Sequence, residues 1–143
     1  MPLPALTPEE AILYQDSMTV YRQVNDPVTG DPSGYKLAPV SDTDPTALED
    51  VPCNFHATPN FDEPRPKSVG MAKRVNILTS NKITCQYEVA VESLDVILLT
   101  DRHGSQQWQA VDGDVKRPVL IKHGYFYGVP TQAPVILPGI WGT

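Results

Sequence analysis

Hydrophobic and polar positions alternate along several stretches of this chain, and the period of two points to strands exposed on one face. The clearest is Ile83, Cys85, Tyr87, Val89 and Val91, alternating with Thr84, Gln86, Glu88 and Glu92. Val51, Cys53, Phe55 and Ala57 form one phase of another, with Asn54, His56 and Thr58 opposite, and Pro52 suggests an edge place for it because proline cannot donate to a ladder. Met18 to Val24 reads as the first strand. Leu94 to Thr100 runs into a turn at Asp101-Arg102-His103-Gly104, returns through Gln107-Trp108-Gln109-Ala110-Val111, and turns again at Asp112-Gly113. A last strand is expected around Val119-Leu120-Ile121. Thr7-Pro8-Glu9-Glu10 opens a short helix reaching about Asp16, with a threonine cap, proline at the first position and Glu10 placed for a capping box.

Between these elements lie two long irregular stretches. Residues 25–45 have loop composition, with room for a short hairpin around Gly30 to Gly34. The connection 59–82 is long for a compact domain, and loops of that length commonly carry function.

Proline, at 15 of 143 residues, is about twice its usual share, which suits short strands joined by loops. The expectation is one mostly β domain, a small antiparallel β-barrel over 18–122, with an arm and short helix at 1–17 and an apolar tail at 123–143. No apolar run approaches the roughly 20 residues of a spanning helix, so no membrane is expected; MPLPALTPEE has no export signal core, which predicts a protein kept inside the cell.

Charge sharpens the picture. The chain is −6 overall, yet residues 1–63 carry eleven acids against Arg22 and Lys36, whereas 64–87 hold Arg65, Lys67, Lys73, Arg74 and Lys82 and no acid. A basic segment on an acidic body is either a contact for phosphate or for an acidic surface, or a solvated loop with a chance excess of bases. It coincides with the long connection. The last 20 residues carry no charge and are punctuated by Pro130, Pro134 and Pro138. Such a segment either folds back on the barrel or docks on a neighbouring subunit.

Candidate chemistry is sparse. No serine lies in a nucleophile-elbow context and no phosphate-cradling glycine loop is present, so neither enzyme activity nor a cofactor is expected. Cys53 and His56 have a ligand-like spacing, with Cys85 on a neighbouring strand, but alternation puts Cys53 and His56 on opposite faces; two core thiols and a surface histidine are the better reading, and no metal is expected. Asp112 and Asp114 lack the further ligands of a calcium loop and read as turn formers. Trp108, Tyr87 and Phe55 are expected to face the core.

The pattern from Leu94 to Val119, an apolar strand, a turn, an aromatic-containing strand, a turn and a proline, resembles the head-completion or stopper proteins that close the head-to-tail channel of long-tailed bacteriophages. The resemblance covers roughly residues 18–122. It implies a small antiparallel barrel whose copies form a ring, hexameric or dodecameric, in the virion neck, with a portal or adaptor protein above and a tail-terminator or tail protein below. It also implies that the long loop between the second and third strands reaches packaged double-stranded DNA, which here places Phe61, Arg65, Lys67, Met71, Lys73 and Arg74 at the channel. The uncharged tail lies outside the stretch that the resemblance covers, and its composition makes Tyr125, Phe126, Tyr127, Ile136, Leu137, Ile140 and Trp141 the expected docking residues. A capsid-decorating or tail-terminator-like protein, with the same barrel and no DNA contact, is the alternative.

Overall fold

The structure, a computed structural model, describes residues 3–41, 43–57, 81–118 and 123–142. One short helix, α1 (Pro8–Leu13), precedes eight strands: β1 (Asp16–Asn25), β2 (Pro32–Leu37), β3 (Val51–Ala57), β4 (Asn81–Gln86), β5 (Val96–Thr100), β6 (Gln106–Lys116), β7 (His123–Pro130) and β8 (Ile136–Ile140). Six of them, in the order β3-β4-β7-β6-β5-β1, close into an antiparallel barrel because β1 also pairs with β3 through Asp16↔Cys53 and Met18↔Val51. Closure removes the unpaired edges that an open sheet leaves.

β1 reaches beyond the barrel. One edge of it pairs with β5 over Ser17–Tyr21; the other pairs with β3 near its start and with β2 over Tyr21–Asn25. In the gap between β3 and β2, the Val20 amide donates to the Leu48 carbonyl and the Ala38 amide to the Val20 carbonyl, so the 38–48 segment continues the pairing. β2 then carries β8, parallel to it, as the outermost strand of the margin.

The core lies inside the barrel and under the 38–48 segment. Met18, Val20, Leu48, Cys53, Ile83, Cys85, Ile97, Leu99 and Phe126 are all buried there, and Leu3 of the N-terminal arm packs on the same cluster. Helix α1 starts as the sequence predicts: the Glu10 amide donates to Thr7 Oγ1 at 3.2 Å and the Thr7 amide to Glu10 Oε1 at 3.0 Å. It ends at Leu13, before Asp16, which belongs to β1. It buries no residue of its own.

Several expectations change. The 25–45 stretch contains a full strand, β2, that the glycine and proline content disguises; its place comes from pairing with β1. β3 is not an edge strand. Pro52 is tolerated because it sits opposite Ser17, one residue before the β3–β4 ladder opens at Cys53↔Cys85. β4 ends at Gln86 rather than near Glu92, and Gln86, expected on the wet face, is buried with its amide donated to the Pro4 carbonyl. Asp112-Gly113 is a bulge inside β6 and not a strand-ending turn: the register shifts between Asp112 and Lys116, and Gly113 takes φ +83. Gln109, not Trp108, points inward, and Trp108 rests outside against Tyr21, ring centroids 5.5 Å apart. Tyr87 stands in a turn, exposed, and Phe55 is half-buried against the core.

The largest change is the domain boundary. His123–Pro130 is a barrel strand, inserted between β4 and β6, and Phe126 is fully buried within it. The separable tail is therefore no longer than the residues after Pro130. The strand expected around Val119 to Ile121 lies outside the described residues.

Candidate functional site

Because the barrel is antiparallel and closed, its two ends can be assigned from the strand directions. At one end β3 stops at Ala57 and β4 starts at Asn81, opposite one another in register; the connection 58–80 leaves between them. The start of β1, the β5–β6 turn and the end of β7 share that end.

Two polar clusters fix this end. The Asp16 carboxylate is buried and accepts from the Phe55 amide at 2.8 Å, the Arg102 amide at 2.7 Å, and the Arg102 side chain at 3.3 Å; Arg102 also reaches Asn54 Oδ1 and Gln15 Oε1. Burial pushes the Asp16 carboxyl up, and the Phe55 amide and Arg102 outweigh it, so the group sits below its usual range. This one carboxylate ties β1, β3 and the β5–β6 turn together. The second cluster is a side-chain chain in the barrel: Asn81 Nδ2 donates to Gln109 Oε1 at 3.1 Å, and Gln109 Nε2 to Gln107 Oε1 at 2.9 Å. Gly128 makes room for it, since a Cβ there would lie 3.2 Å from Gln109 Cβ and Oε1. Buried amides need such partners, and the residue they hold, Asn81, is the root from which the connection departs.

At the other end Arg22 is the hub. Its Nε and Nη2 grip both oxygens of Asp95 at 3.1 Å, Nη2 also donates to the Ala90 carbonyl, and Nη1 lies 3.5 Å from Glu92. Burial pushes the Asp95 carboxyl up against the pull of Arg22 and of the Glu92 amide. Leu94, just before it, is held exposed at φ +77, a strained conformation for leucine that the anchored Asp95 sustains. The same guanidinium stands 5.4 Å from the centroid of the Trp141 ring, so this hub also touches the C-terminal strand.

The predicted site residues divide between these regions. Phe61, Arg65, Lys67, Met71, Lys73 and Arg74 lie outside the described residues. Tyr125, Phe126 and Tyr127 belong to the barrel wall: Phe126 faces inward, while Tyr125 and Tyr127 meet edge to face at 6.1 Å, with Lys82 Nζ 4.5 Å from the Tyr125 centroid. Ile136, Leu137, Ile140 and Trp141 stay together on the β8 margin.

The thiols do not point to chemistry. Cys53 and Cys85 face each other across β3 and β4, free and fully buried; burial pushes both up, Cys85 to about 12, which keeps them protonated. The buried Tyr14 hydroxyl, raised by desolvation, contacts His123 Nδ1 and the Cys85 carbonyl. Among the described residues no group of three or more His, Cys, Asp or Glu is placed to hold a metal ion. No described helix is long and apolar enough to cross a membrane.

Sequence reasoning overlooked Arg22, Asp95, Asp16 and Gln109. The signal was available for Arg22 and Asp16, which share the inward phase of β1 with Met18 and Val20 and so had to be paired. Searches against protein-family models, curated proteins and solved structures find no match for this chain.

Proposed function

We propose that this protein is a structural subunit of the neck of a long-tailed bacteriophage, forming a ring between the portal or adaptor and the tail, closing the DNA channel and offering the surface to which the tail attaches. The observation that carries the reading is the β3–β4 connection. Two strands paired up to Ala57↔Asn81 need only a tight turn, yet the chain inserts residues 58–80 there, with Arg65, Lys67, Lys73 and Arg74 following the acids Asp62 and Glu63. Asp16–Arg102 and Asn81–Gln109 hold the two strand ends from which that segment departs.

The electrostatics suit the role. An acidic barrel repels DNA weakly and lets it pass, whereas basic segments brought together by a ring multiply a modest phosphate attraction by the number of copies. The role asks for no catalysis, cofactor or metal. The test is the location of the protein in virions together with its mass in solution: labelling at the neck and ring-sized assemblies fit the proposal. Labelling across the shell would instead assign it to capsid decoration, and labelling at the tail tube's end to a terminator without DNA contact.

A further inference from the structure

We infer that the groove holding β8 is a joint between copies, in which the C-terminal strand of one subunit takes the place of the same strand in the next. This rests on the ring-forming reading above and names the surface that would build the ring.

The groove is made for one peptide. Tyr35 donates its amide to the Val135 carbonyl at 2.8 Å, the Trp141 amide donates to the Leu37 carbonyl at 2.8 Å, and Trp141 Nε1 donates to the Gln23 carbonyl at 3.0 Å. Leu137 sits directly over Gly34, where a Cβ would come within 2.8 Å of its Cγ, and Arg22 faces the Trp141 ring. An extended segment with leucine and tryptophan four residues apart is therefore recognised by backbone pairing, a glycine seat and a cation over an indole. A second copy of this chain supplies that segment with every contact unchanged.

The occupant is detachable. No described residue after Phe126 belongs to the core cluster, and no residue of β8 is buried, so the strand leaves without opening the barrel. Its tether is short. β7 and β1 stand on opposite sides of the barrel, three strands apart in either direction, and β8 lies two strands beyond β1. The Thr131 amide is bonded to the Trp108 carbonyl of β6 and the Val135 carbonyl to the Tyr35 amide of β2, so only Gln132, Ala133 and Pro134 lie between the two anchors. Short hinges favour exchange between copies, and a head-to-tail exchange can close into a ring. Charge agrees: residues 124–143 carry no charged side chain, so this segment adds no repulsion between copies of net charge −6.

The test uses full-length chains. One carries Tyr35→Cys and the other Ile136→Cys, positions that are Cα partners across β2 and β8. Mixed at high concentration and oxidised, they are expected to form a disulfide between chains, and a chain carrying both changes to give a covalent ladder. A second variant lacking Gln132 and Ala133 has a hinge too short to return and is expected to become fully oligomeric by light scattering. Crosslinks confined within single chains, or a shortened variant that stays monomeric, would overturn the inference. Rings in the neck with only internal crosslinks would reject exchange and leave the neck reading standing; exchanged oligomers absent from the neck would do the reverse.

Discussion

The closed barrel and the β2–β8 margin are built from the same kinds of residue and differ in what they bury. β7, with Phe126 wholly enclosed, is paired on both sides; β8, also uncharged and mostly aliphatic, is paired on one side and encloses nothing. Apolar composition alone does not make a core. What decides is whether a strand has neighbours on both edges and a filled face beneath it, and a strand without them is available for other contacts.

The sharpest way to break this contrast is to truncate one side chain in each region. Phe126→Ala is expected to destabilise the fold by about 3–5 kcal/mol in denaturant unfolding, the usual range for an enclosed phenylalanine. Leu137→Ala, on the margin, should leave the main transition within about 1 kcal/mol of the parent. Equal losses would show that β8 belongs to the core after all.

A second change probes the residue that joins the two regions. Arg22→Met leaves Asp95 buried without its partner and should cost about 3 kcal/mol, while removal of the cation from the Trp141 ring shifts tryptophan fluorescence. Replacing Asp95 by Leu in the same chain should restore much of the stability but not the fluorescence, because only the first effect comes from the orphaned carboxylate. Fluorescence that recovers with stability would mean that the margin merely follows the barrel.

pH offers a finer comparison between the barrel's ends. The folded-state pKa of Asp16 lies below its ordinary 3.8, so its contribution to stability is present above that value and is lost as pH falls through the folded one. Asp95 is shifted the other way, and its contribution is present at low pH and lost as pH rises through its folded value. Asp16→Asn should therefore flatten the acid limb of a stability profile, and Asp95→Asn should not. An unchanged acid limb in Asp16→Asn would remove Asp16 from the acid response.

These contrasts also explain how far the sequence could be read. Alternation revealed β1, β3, β4 and β6 because each has polar positions that interrupt its apolar face, whereas β5 was legible as an apolar run ending in a turn. β7 was hidden because its outward residues are Tyr125 and Tyr127 rather than charges, so no period of two stands out, and its uncharged continuation through Pro130 made both look like one tail. β2 was hidden for the opposite reason: Pro32, Gly34 and Lys36 have weak strand preference, and partners at residues 21–25 impose the conformation. Gly113 reads equally as turn or bulge until the register of β7 is known. The Asp16 and Arg22 clusters needed the third dimension, since their partners lie on other strands.

The central claim, that the basic connection rooted between β3 and β4 holds DNA in the neck channel, is tested most directly by reversing Arg65, Lys67, Lys73 and Arg74 to Glu and purifying particles made with the variant. The fold is expected to be unchanged, because the described core is built from residues outside this connection. The account predicts that the variant joins the particle in normal amount and that filled heads then lose their DNA. Normal incorporation with normal DNA retention would contradict it.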